Sequence, residues 1–370
     1  MSSPHADVFI GLPREEIDTP VLLIDLDIME ANIQKMADFF KTVNADLRPH
    51  IKTHKTPIIA HKQIEAGAIG VTCAKLGEAE AMIHAGIRNV LIANQIVGPQ
   101  KIARLINLTK HSEIMVAADD PHNVNQLSAA AEAKGVTLRV LIEVNTGMNR
   151  CGTEPRQPTL DLARHILQSK GLQFEGVMGY EGHTVITQDL KEREMTTKAS
   201  VDLLIDSKCF LEENGVPVKI VSGGGTGTYA ITGAYPDMTE IQAGSYVFLD
   251  SCYRDVEGIG DQFDCALSLL TTVVSRPNPT RVIVDAGLKV LAQELGVPQP
   301  LGIGGLEMRG LSEEHGNMTA DASVDVKPGD RISLLPTHCC TTVNLHDRYY
   351  AVRKGIVEDV WEIAARGKSQ

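Results

Sequence analysis

Short apolar segments alternate with longer amphipathic segments up to about residue 255. Eight of the apolar segments have the length of a strand: 47–52, 68–74, 89–94, 113–119, 138–145, 174–180, 219–225 and 240–248. The segments between them have helical periodicity; in 158–171, Leu160, Ala163, Ile166 and Leu167 fall on one helix face. Continuous apolar strands separated by helices predict an α/β domain with a parallel sheet. Because eight strands close a (β/α)8 barrel of the TIM type, we favour that barrel over an open doubly wound sheet.

The pattern changes after residue 255. Four further apolar segments, 266–277, 280–287, 331–338 and 347–363, are separated by Gly and Pro turns with no long helix between them. This spacing predicts a second, mostly antiparallel β domain. We therefore expect a barrel domain over residues 20–255 and a β domain over 256–370 together with residues 1–19. The apolar strand at 21–26 precedes the first helix, and the pattern leaves open which sheet it joins.

Composition narrows the class of protein. The formal net charge is −12, and an acidic surface argues against a nucleic-acid partner. No segment reaches the roughly 20 apolar residues of a membrane span, and the N-terminal residues lack the pattern of a secretory signal. The seven cysteines are odd in number and scattered or adjacent, which is typical of reduced thiols. We therefore expect a cytoplasmic globular protein with no membrane partner.

The segment LRPHIKTHKTP (47–57) places cationic side chains where a strand ends. On a strand, Arg48, His50 and Lys52 point to one face. Reactive residues of a barrel lie at the carboxyl ends of its strands, so Lys52 would stand at the inner rim among other cations. Such an amine is suited to Schiff-base chemistry with a carbonyl compound. The alternative interpretation is an exposed lysine in a loop.

A glycine-rich segment, SGGGTGTY (222–229), follows the seventh predicted strand. Its glycines allow backbone amides to approach an anion closely, and Ser222, Thr226 and Thr228 add hydroxyl groups. Late strands of a barrel commonly carry phosphate sites, although a merely flexible loop is the alternative. Together with Lys52, the segment predicts pyridoxal phosphate, with separate anchors for its aldehyde and its phosphate.

The segment LLPTHCCTTVNLHD (334–347) holds a candidate metal pair, His338 and Cys340. At a strand end, residues two apart point the same way and can share a metal ion. Two protein ligands do not complete a structural zinc site, but they can hold a catalytic metal that has open positions. The alternative is a hydrogen-bonded histidine beside two buried thiols.

The motifs RPHIKTHK, NTGMNRCG, YEGH, SGGGTGTY, EEHG and HCCTTVNLHD occur in this order along the chain. Together they resemble those of the D-threonine aldolase and D-serine dehydratase family, alanine-racemase-like enzymes of fold type III that use pyridoxal phosphate. The resemblance extends from about Thr19 to Ile363. It implies an N-terminal barrel, a C-terminal β domain and a homodimer with shared active sites.

The resemblance also implies roles for single residues. Lys52 looks like the residue that binds the aldehyde of pyridoxal 5'-phosphate covalently, and Arg150 resembles the residue that contacts the phenolic oxygen. Tyr180 and His183 resemble residues beside the cofactor ring. The expected phosphate contacts are Ser222, Gly224, Gly225 and Thr226, with Tyr246 near them. His338 and Cys340 look like the ligands of a divalent metal, Mn²⁺, Mg²⁺ or Zn²⁺.

The implied activity is cleavage of a D-β-hydroxy-α-amino acid, such as D-threonine or a D-3-hydroxyaspartate-like substrate, to glycine and an aldehyde. The metal would bind the β-hydroxyl, and His183 or metal-bound hydroxide would remove its proton. The alternative is a D-serine or D-threo-3-hydroxyaspartate dehydratase, which yields a 2-keto acid and ammonia. Aldolases of the family tend to have a carboxylate at the position of Cys340, so the thiol at this position favours dehydration. The following segment TTVNLHD is more typical of aldolases. We let this longer segment decide, and the prediction is therefore an aldolase.

Two further alternatives are less consistent with the chain. An alanine-type racemase needs a second base on the opposite face of the cofactor, and no convincing tyrosine for that role is found in the β domain. A non-catalytic carrier barrel would need neither a metal pair nor the residues after 255.

Overall fold

The computed structural model describes residues 8–370, so residues 1–7 of the predicted 1–19 segment lie outside the described residues. Two compact units divide the chain. The barrel unit comprises Met36–Lys52, Pro57–Gly244 and Lys368–Gln370. The β unit comprises the described residues up to Lys35, the segment Thr53–Thr56, and Ser245–Gly367. The chain therefore passes between the two units several times. The predicted division places one boundary near residue 255, between a barrel domain (20–255) and a β domain (256–370 with residues 1–19), and these bounds stay a prediction.

Strands and helices follow each other in the order expected for an α/β region and then a β-rich region. The strands are β1 Val21–Asp25, β2 Asp46–Leu47, β3 Val71–Cys73, β4 Asn89–Gln95, β5 Glu113–Ala118, β6 Leu138–Glu143, β7 Leu172–Met178, β8 Ile220–Gly223, β9 Glu240–Ile241, β10 Leu267–Asn278, β11 Arg281–Val284, β12 Gln299–Pro300, β13 Leu306–Leu311, β14 Gly316–Ala320, β15 Arg331–Leu335, β16 Arg348–Arg353 and β17 Ile356–Glu362. The helices are α1 Leu26–Phe40, α2 Pro57–Glu65, α3 Leu76–His84, α4 Pro99–Leu108, α5 Pro121–Lys134, α6 Gln157–Gln168, α7 Leu190–Glu213, α8 Tyr229–Gly233, α9 Ser251–Arg254 and α10 Cys339–Val343.

In the barrel unit, strands β2 to β9 form one eight-stranded sheet within the described residues, in the order β2-β9-β8-β7-β6-β5-β4-β3. All its pairings are parallel. The two ends of this order also meet, because His50 bridges to Thr72 in parallel and the Ile69 amide donates to the Leu47 carbonyl at 3.0 Å. Each strand overlaps one of the eight predicted apolar segments. The predicted TIM-type barrel is therefore confirmed, and the open sheet is not observed in the described residues.

The buried face of helix α6 largely matches its predicted apolar face. Leu160, Ala163 and Ile166 are buried as predicted, and Leu162 is buried with them. Leu167, predicted on the same face, is 54% exposed. The buried face is centred on Ala163 and Ile166 and turns toward Leu162, which moves Leu167 to its edge.

In the β unit, nine strands of the described residues form a second sheet, with β13-β14-β11-β10-β1-β16-β17 as its main path and β15 and β12 branching from β10. Every pairing is antiparallel except that of β1 with β16. The predicted, mostly antiparallel domain is confirmed. Strand β1 joins this sheet, which answers the question that the apolar pattern left open, and its Leu23 packs with Leu270, Tyr350 and Val352.

The four residues that follow Lys52 are bound within the β unit. The Tyr349 hydroxyl donates to the carbonyl of His54 at 2.8 Å, and the Thr56 hydroxyl donates to the carbonyl of Glu362 at 2.7 Å. The Ala365 amide donates to the carbonyl of Lys55 at 2.9 Å. His54, Lys55 and Thr56 are thus held by hydrogen bonds with residues near the C-terminus.

The helices and the cysteines can be compared with the expectations from composition. None of the helices in residues 8–370 is both long and apolar enough to cross a membrane. All seven cysteines are free thiols.

Candidate active site

Lys52 lies just beyond β2, in a short 3-10 turn formed by Ile51–Thr53. Its Nζ atom is 5.5 Å from the ring centroid of Tyr180, which follows β7. Its backbone amide donates to Nδ1 of His50 at 3.4 Å. The amine and the aromatic ring therefore meet at the carboxyl ends of two barrel strands, which is where reactive residues of such barrels lie.

Arg48 has a structural role instead of flanking the amine of Lys52. Its guanidinium is buried and donates to both carboxylate oxygens of Glu240, at 2.5 and 3.0 Å, and to Oδ1 of Asn89 at 2.7 Å. The strand alternation predicted for Arg48, His50 and Lys52 does not reach Lys52, because that residue lies in the 3-10 turn.

Arg150 comes after β6 and approaches the same aromatic ring. Its Cζ atom is 5.8 Å from the ring centroid of Tyr180. Its guanidinium is 3.7 Å from Oε1 of Glu143, the last residue of β6. Burial raises the pKa of Glu143, while a hydrogen bond from Gln95 at 2.6 Å and the charge of Arg150 lower it in part. Glu143 was not singled out in the sequence, because nothing in an apolar strand marks its last residue as a partner of a distant arginine.

The glycine-rich segment reaches the Tyr180 ring from a third side. A Cβ atom at Gly225 would lie 3.2 Å from Cε2 of Tyr180, so the segment packs closely against the ring at this glycine. Gly224 has a φ of +76°, in the region that favours glycine. The barrel unit therefore brings Lys52, Arg150 and the glycine-rich segment together around one aromatic ring.

The polar groups of the glycine-rich segment have partners inside the protein. The Ser222 hydroxyl is buried and accepts a hydrogen bond from Nε2 of Gln242 at 2.9 Å. The Gly224 amide donates to Oε2 of Glu181 at 3.3 Å, and the Gly225 amide donates to the Thr228 hydroxyl at 3.1 Å. Thr226 is also buried. The roles of Ser222, Gly224, Gly225 and Thr226 in holding a phosphate stay predictions.

His183 is an exposed residue of the loop after β7. Its Nε2 atom is 3.4 Å from the hydroxyl of Ser200 on α7. A Cβ atom at Gly147 would lie 3.4 Å from the imidazole, so the loops after β6 and β7 meet here. Its predicted role as a base stays a prediction.

The barrel unit fits pyridoxal 5'-phosphate chemically. Lys52 supplies an amine for the aldehyde, and Tyr180 supplies an aromatic neighbour for the pyridine ring. The loop that touches Tyr180 is compact and glycine-rich, which suits close approach of a phosphate to the backbone.

The predicted metal pair lies in the β unit. His338 is the N-cap of α10, and its Nδ1 atom is 3.1 Å from Oδ2 of Asp250. Burial alone would lower the pKa of His338, but its hydrogen bonds to Asp250 and Cys340 raise that pKa to about 10. The Thr53 hydroxyl is 3.5 Å from Sγ of Cys340. The imidazole of His338 and the thiol of Cys340 are thus within hydrogen-bonding reach of each other.

Asp250, which lies beside His338 and Cys340, was not identified from the sequence. Its carboxylate is completely buried and also accepts hydrogen bonds from the amides of Cys339 at 2.9 Å and Tyr253 at 3.1 Å. A carboxylate bound to one imidazole nitrogen is typical of metal-binding histidines. Residues 8–370 hold no cluster of three or more His, Cys, Asp or Glu side chains placed to bind a metal, and the metal-binding roles of His338 and Cys340 stay predictions.

Tyr246 also belongs to the β unit. It is completely buried, and its ring centroid is 5.8 Å from that of Phe263. Its predicted position near the phosphate stays a prediction.

Comparison with known proteins identifies the class. Residues 24–252 match the family model of the alanine racemase N-terminal domain, and residues 266–352 match that of a serine dehydratase domain. The barrel with its lysine therefore defines an alanine-racemase-like enzyme of fold type III, and such enzymes use pyridoxal phosphate. The chain is 38% identical to D-threonine aldolase of Arthrobacter sp., over 97% of this chain and 96% of that protein. It is 36% identical to 3-hydroxy-D-aspartate aldolase of Paracoccus denitrificans (strain Pd 1222), over 97% and 94%.

A solved structure agrees with this class. The crystal structure of D-threonine aldolase from Filomicrobium marinum superposes with a TM-score of 0.94 at 39% identity, covering 97% of this chain and 98% of that one. Dehydratases among the relatives are less similar to this chain than these aldolases are. The chain belongs to the D-threonine aldolase and D-serine dehydratase family. The resemblance inferred from the six motifs is confirmed.

Proposed function

We propose that this enzyme is a carbon–carbon lyase that cleaves D-β-hydroxy-α-amino acids to glycine and an aldehyde. The observation that carries the proposal is the amine of Lys52 beside Tyr180 at the strand ends of an alanine-racemase-like barrel, in a chain whose aldolase relatives are 36–38% identical over nearly its full length. The names of those relatives indicate D-threonine or a D-3-hydroxyaspartate-like compound as substrate.

Three features of the barrel unit bind the cofactor in this proposal. Lys52 holds the aldehyde of pyridoxal 5'-phosphate, the glycine-rich segment holds its phosphate, and Arg150 contacts its phenolic oxygen. When bound, the cofactor supplies an electron sink for the charge left at Cα after bond cleavage. Glu143, 3.7 Å from the Arg150 guanidinium, orients that side chain toward the Tyr180 ring.

The β unit contributes a divalent cation site formed by His338 and Cys340. A Mn²⁺, Mg²⁺ or Zn²⁺ ion at this pair would supply Lewis acidity toward the β-hydroxyl of the substrate. Asp250 keeps the His338 ring in one orientation, and Thr53 contacts the thiol of Cys340. His183 accepts the β-hydroxyl proton, which must leave before the Cα–Cβ bond can break.

Cys340 supports a second candidate function, dehydration of D-serine or D-threo-3-hydroxyaspartate. A thiolate ligand favours zinc over harder metals. In that reaction Lys52 removes the α-proton and the β-hydroxyl departs as the leaving group, so the products are a 2-keto acid and ammonia.

Product analysis separates the two reactions. The purified enzyme, supplied with pyridoxal 5'-phosphate and with Mn²⁺, Mg²⁺ or Zn²⁺ in turn, is incubated with D-threonine, D-3-hydroxyaspartate and D-serine. Glycine plus an aldehyde supports the aldolase, and a keto acid plus ammonia supports the dehydratase. Lys52→Ala is the control, and it should abolish the reaction and the borohydride-fixed cofactor label. Absence of glycine with both hydroxy amino acids and all three metals would overturn the aldolase proposal.

The proposal also includes the cellular compartment and the oligomeric state. We place the enzyme in the cytoplasm, a reducing compartment, because all seven cysteines are thiols. We also propose a homodimer with shared active sites, as the family resemblance implies. Sedimentation at several protein concentrations tests the dimer, and a monomer at micromolar concentration would contradict it.

A further inference from the structure

The buried carboxylate of Glu181 is hydrogen-bonded to the glycine-rich segment. Glu181 is 2% exposed and follows Tyr180 directly. Its Oε2 accepts a hydrogen bond from the Gly224 amide at 3.3 Å. Its Oε1 accepts hydrogen bonds from the hydroxyls of Thr228 at 2.8 Å and Thr232 at 2.5 Å. Three neutral donors from one short segment therefore converge on a single carboxylate.

The Thr228 hydroxyl links Glu181 to the amide of Gly225 through hydrogen bonds. The Gly225 amide donates to Oγ1 of Thr228 at 3.1 Å, and the same hydroxyl donates its hydrogen to Glu181. The amides of both central glycines are thus oriented, directly or through Thr228, by one carboxylate. A buried amide that lost this acceptor would be left unsatisfied, so the segment would have to rearrange.

Glycines make the segment adaptable and also give it many conformations when it is not held. Gly224 has a φ of +76°, and its neighbours carry no side chains that could limit the backbone. A loop that binds an anion must present its donors in one arrangement, and fixing that arrangement in advance reduces the entropy lost on binding. Glu181 is the group that fixes it.

We infer that Glu181 is a positioning residue that holds the glycine-rich segment in the conformation that binds the phosphate of the cofactor. The inference rests on the proposed function, which assigns the phosphate to this segment. In this arrangement Glu181 acts on the segment through the amide of Gly224 and, by way of the Thr228 hydroxyl, the amide of Gly225.

The test compares two ligands that differ only in the phosphate. Glu181→Gln keeps the size of the side chain but replaces one acceptor oxygen by a donor, so at least one of the three donors loses its acceptor. Cofactor is titrated onto the full-length, cofactor-stripped protein and the bound fraction is followed by absorbance. We expect the dissociation constant for pyridoxal 5'-phosphate to rise about tenfold, the effect of one lost charge-assisted hydrogen bond. The constant for pyridoxal should change by less than about twofold.

Glu175→Gln is the matched control. Glu175 lies on β7, is 3% exposed, and pairs with Arg139 at 2.8 Å and Lys219 at 3.8 Å rather than with the glycine-rich segment. This variant should lower the melting temperature but leave the ratio of the two dissociation constants as in the wild type. A Glu181→Gln protein with unchanged affinity for pyridoxal 5'-phosphate would overturn the inference, as would an equal loss for both ligands.

A second pair of variants covers the case in which Glu181→Gln does not fold. Thr228→Val removes the hydroxyl that links Gly225 to Glu181, and Thr228→Ser keeps it. We expect Val, but not Ser, to weaken pyridoxal 5'-phosphate relative to pyridoxal; equal behaviour of the two would overturn the inference. Equal affinity of the wild type for both ligands would instead overturn the phosphate role of the segment itself.

Discussion

The imidazole of His338 is hydrogen-bonded to the buried carboxylate of Asp250, with 3.1 Å between Nδ1 and Oδ2. The bond engages Nδ1 and fixes the ring, so Nε2 is the ring nitrogen left for a metal ion. Asp250→Asn keeps one acceptor oxygen for the amides of Cys339 and Tyr253, which bond to different oxygens of Asp250, and no longer carries the charge that supports His338. We expect the affinity for Zn²⁺ to fall by about 10- to 100-fold.

Competition with a chromophoric chelator measures this change on metal-stripped protein. Asp264→Asn is the control, because the Asp264 side chain is exposed and pairs with the exposed Lys35 at 3.4 Å. Unchanged zinc affinity in Asp250→Asn would show that the carboxylate does not support a metal ligand.

Close packing of the glycine-rich segment makes Gly227 intolerant of a side chain. A Cβ atom there would lie 1.7 Å from the carbonyl oxygen of Val185, so the backbone would have to move. We expect Gly227→Ala to destabilise the protein by about 1–3 kcal/mol and to lower its cofactor content after dialysis. Gly304→Ala is the control, because no atom of residues 8–370 beyond its chain neighbours lies within 4 Å of a Cβ atom at Gly304. Equal melting temperatures and cofactor contents for the two variants would contradict this prediction.

The buried ion pair of Arg48 and Glu240 should contribute strongly to the stability of the barrel unit. Arg48→Met removes three hydrogen bonds and leaves the Glu240 carboxylate buried without its cation. We expect a loss of about 3–5 kcal/mol in the free energy of unfolding by urea. The double variant Arg48→Met, Glu240→Gln should regain part of the loss, because the buried charge is then absent. A double variant less stable than the single one would count against this explanation.

The buried imidazole of His346 should make stability depend on pH in the acid range. Burial lowers the pKa of His346 below 6.5, and the hydrogen bond to the carbonyl of Val290 and the charge of Asp347 only partly offset this effect. The unfolded chain therefore takes up a proton near pH 6.5 that the folded protein does not bind. As a result, this residue lowers stability as the pH falls below 6.5.

His346→Gln keeps a donor for the Val290 carbonyl and removes the titration. Urea unfolding at about pH 7.5 and about pH 5.5 should show that the variant loses less stability than the wild type, by up to about 1 kcal/mol. Equal losses would mean that His346 does not carry this part of the acid sensitivity.

The barrel could be predicted from the sequence because burial on both faces leaves a largely apolar run for most of its strands. Lys52 and the glycine-rich segment could be placed by the same logic, since each directly follows such a run. The local geometry around Lys52 was less accessible, because a 3-10 turn replaces the expected strand alternation.

The carboxylates that organise the site could not be predicted. Asp250 lies 88 positions from His338, and Glu181 lies 43 positions from Gly224, so no local spacing connects them. An acidic residue in a loop is usually a solvated side chain, and only the folded chain shows that these two are buried and hydrogen-bonded. Strand β1 is a similar case, because an apolar run does not specify which of two sheets it will join.

The hydrogen bonds to Thr53–Thr56 have a consequence for building chimeras of family members. A fragment that ended at residue 244 would still carry these four residues but would lack Tyr349, Glu362 and Ala365, whose groups bind them. The tetrapeptide immediately after Lys52 would then be unsupported. An exchange of the segment after residue 244 between two such enzymes should therefore keep a tyrosine at position 349 or transplant this tetrapeptide with the segment.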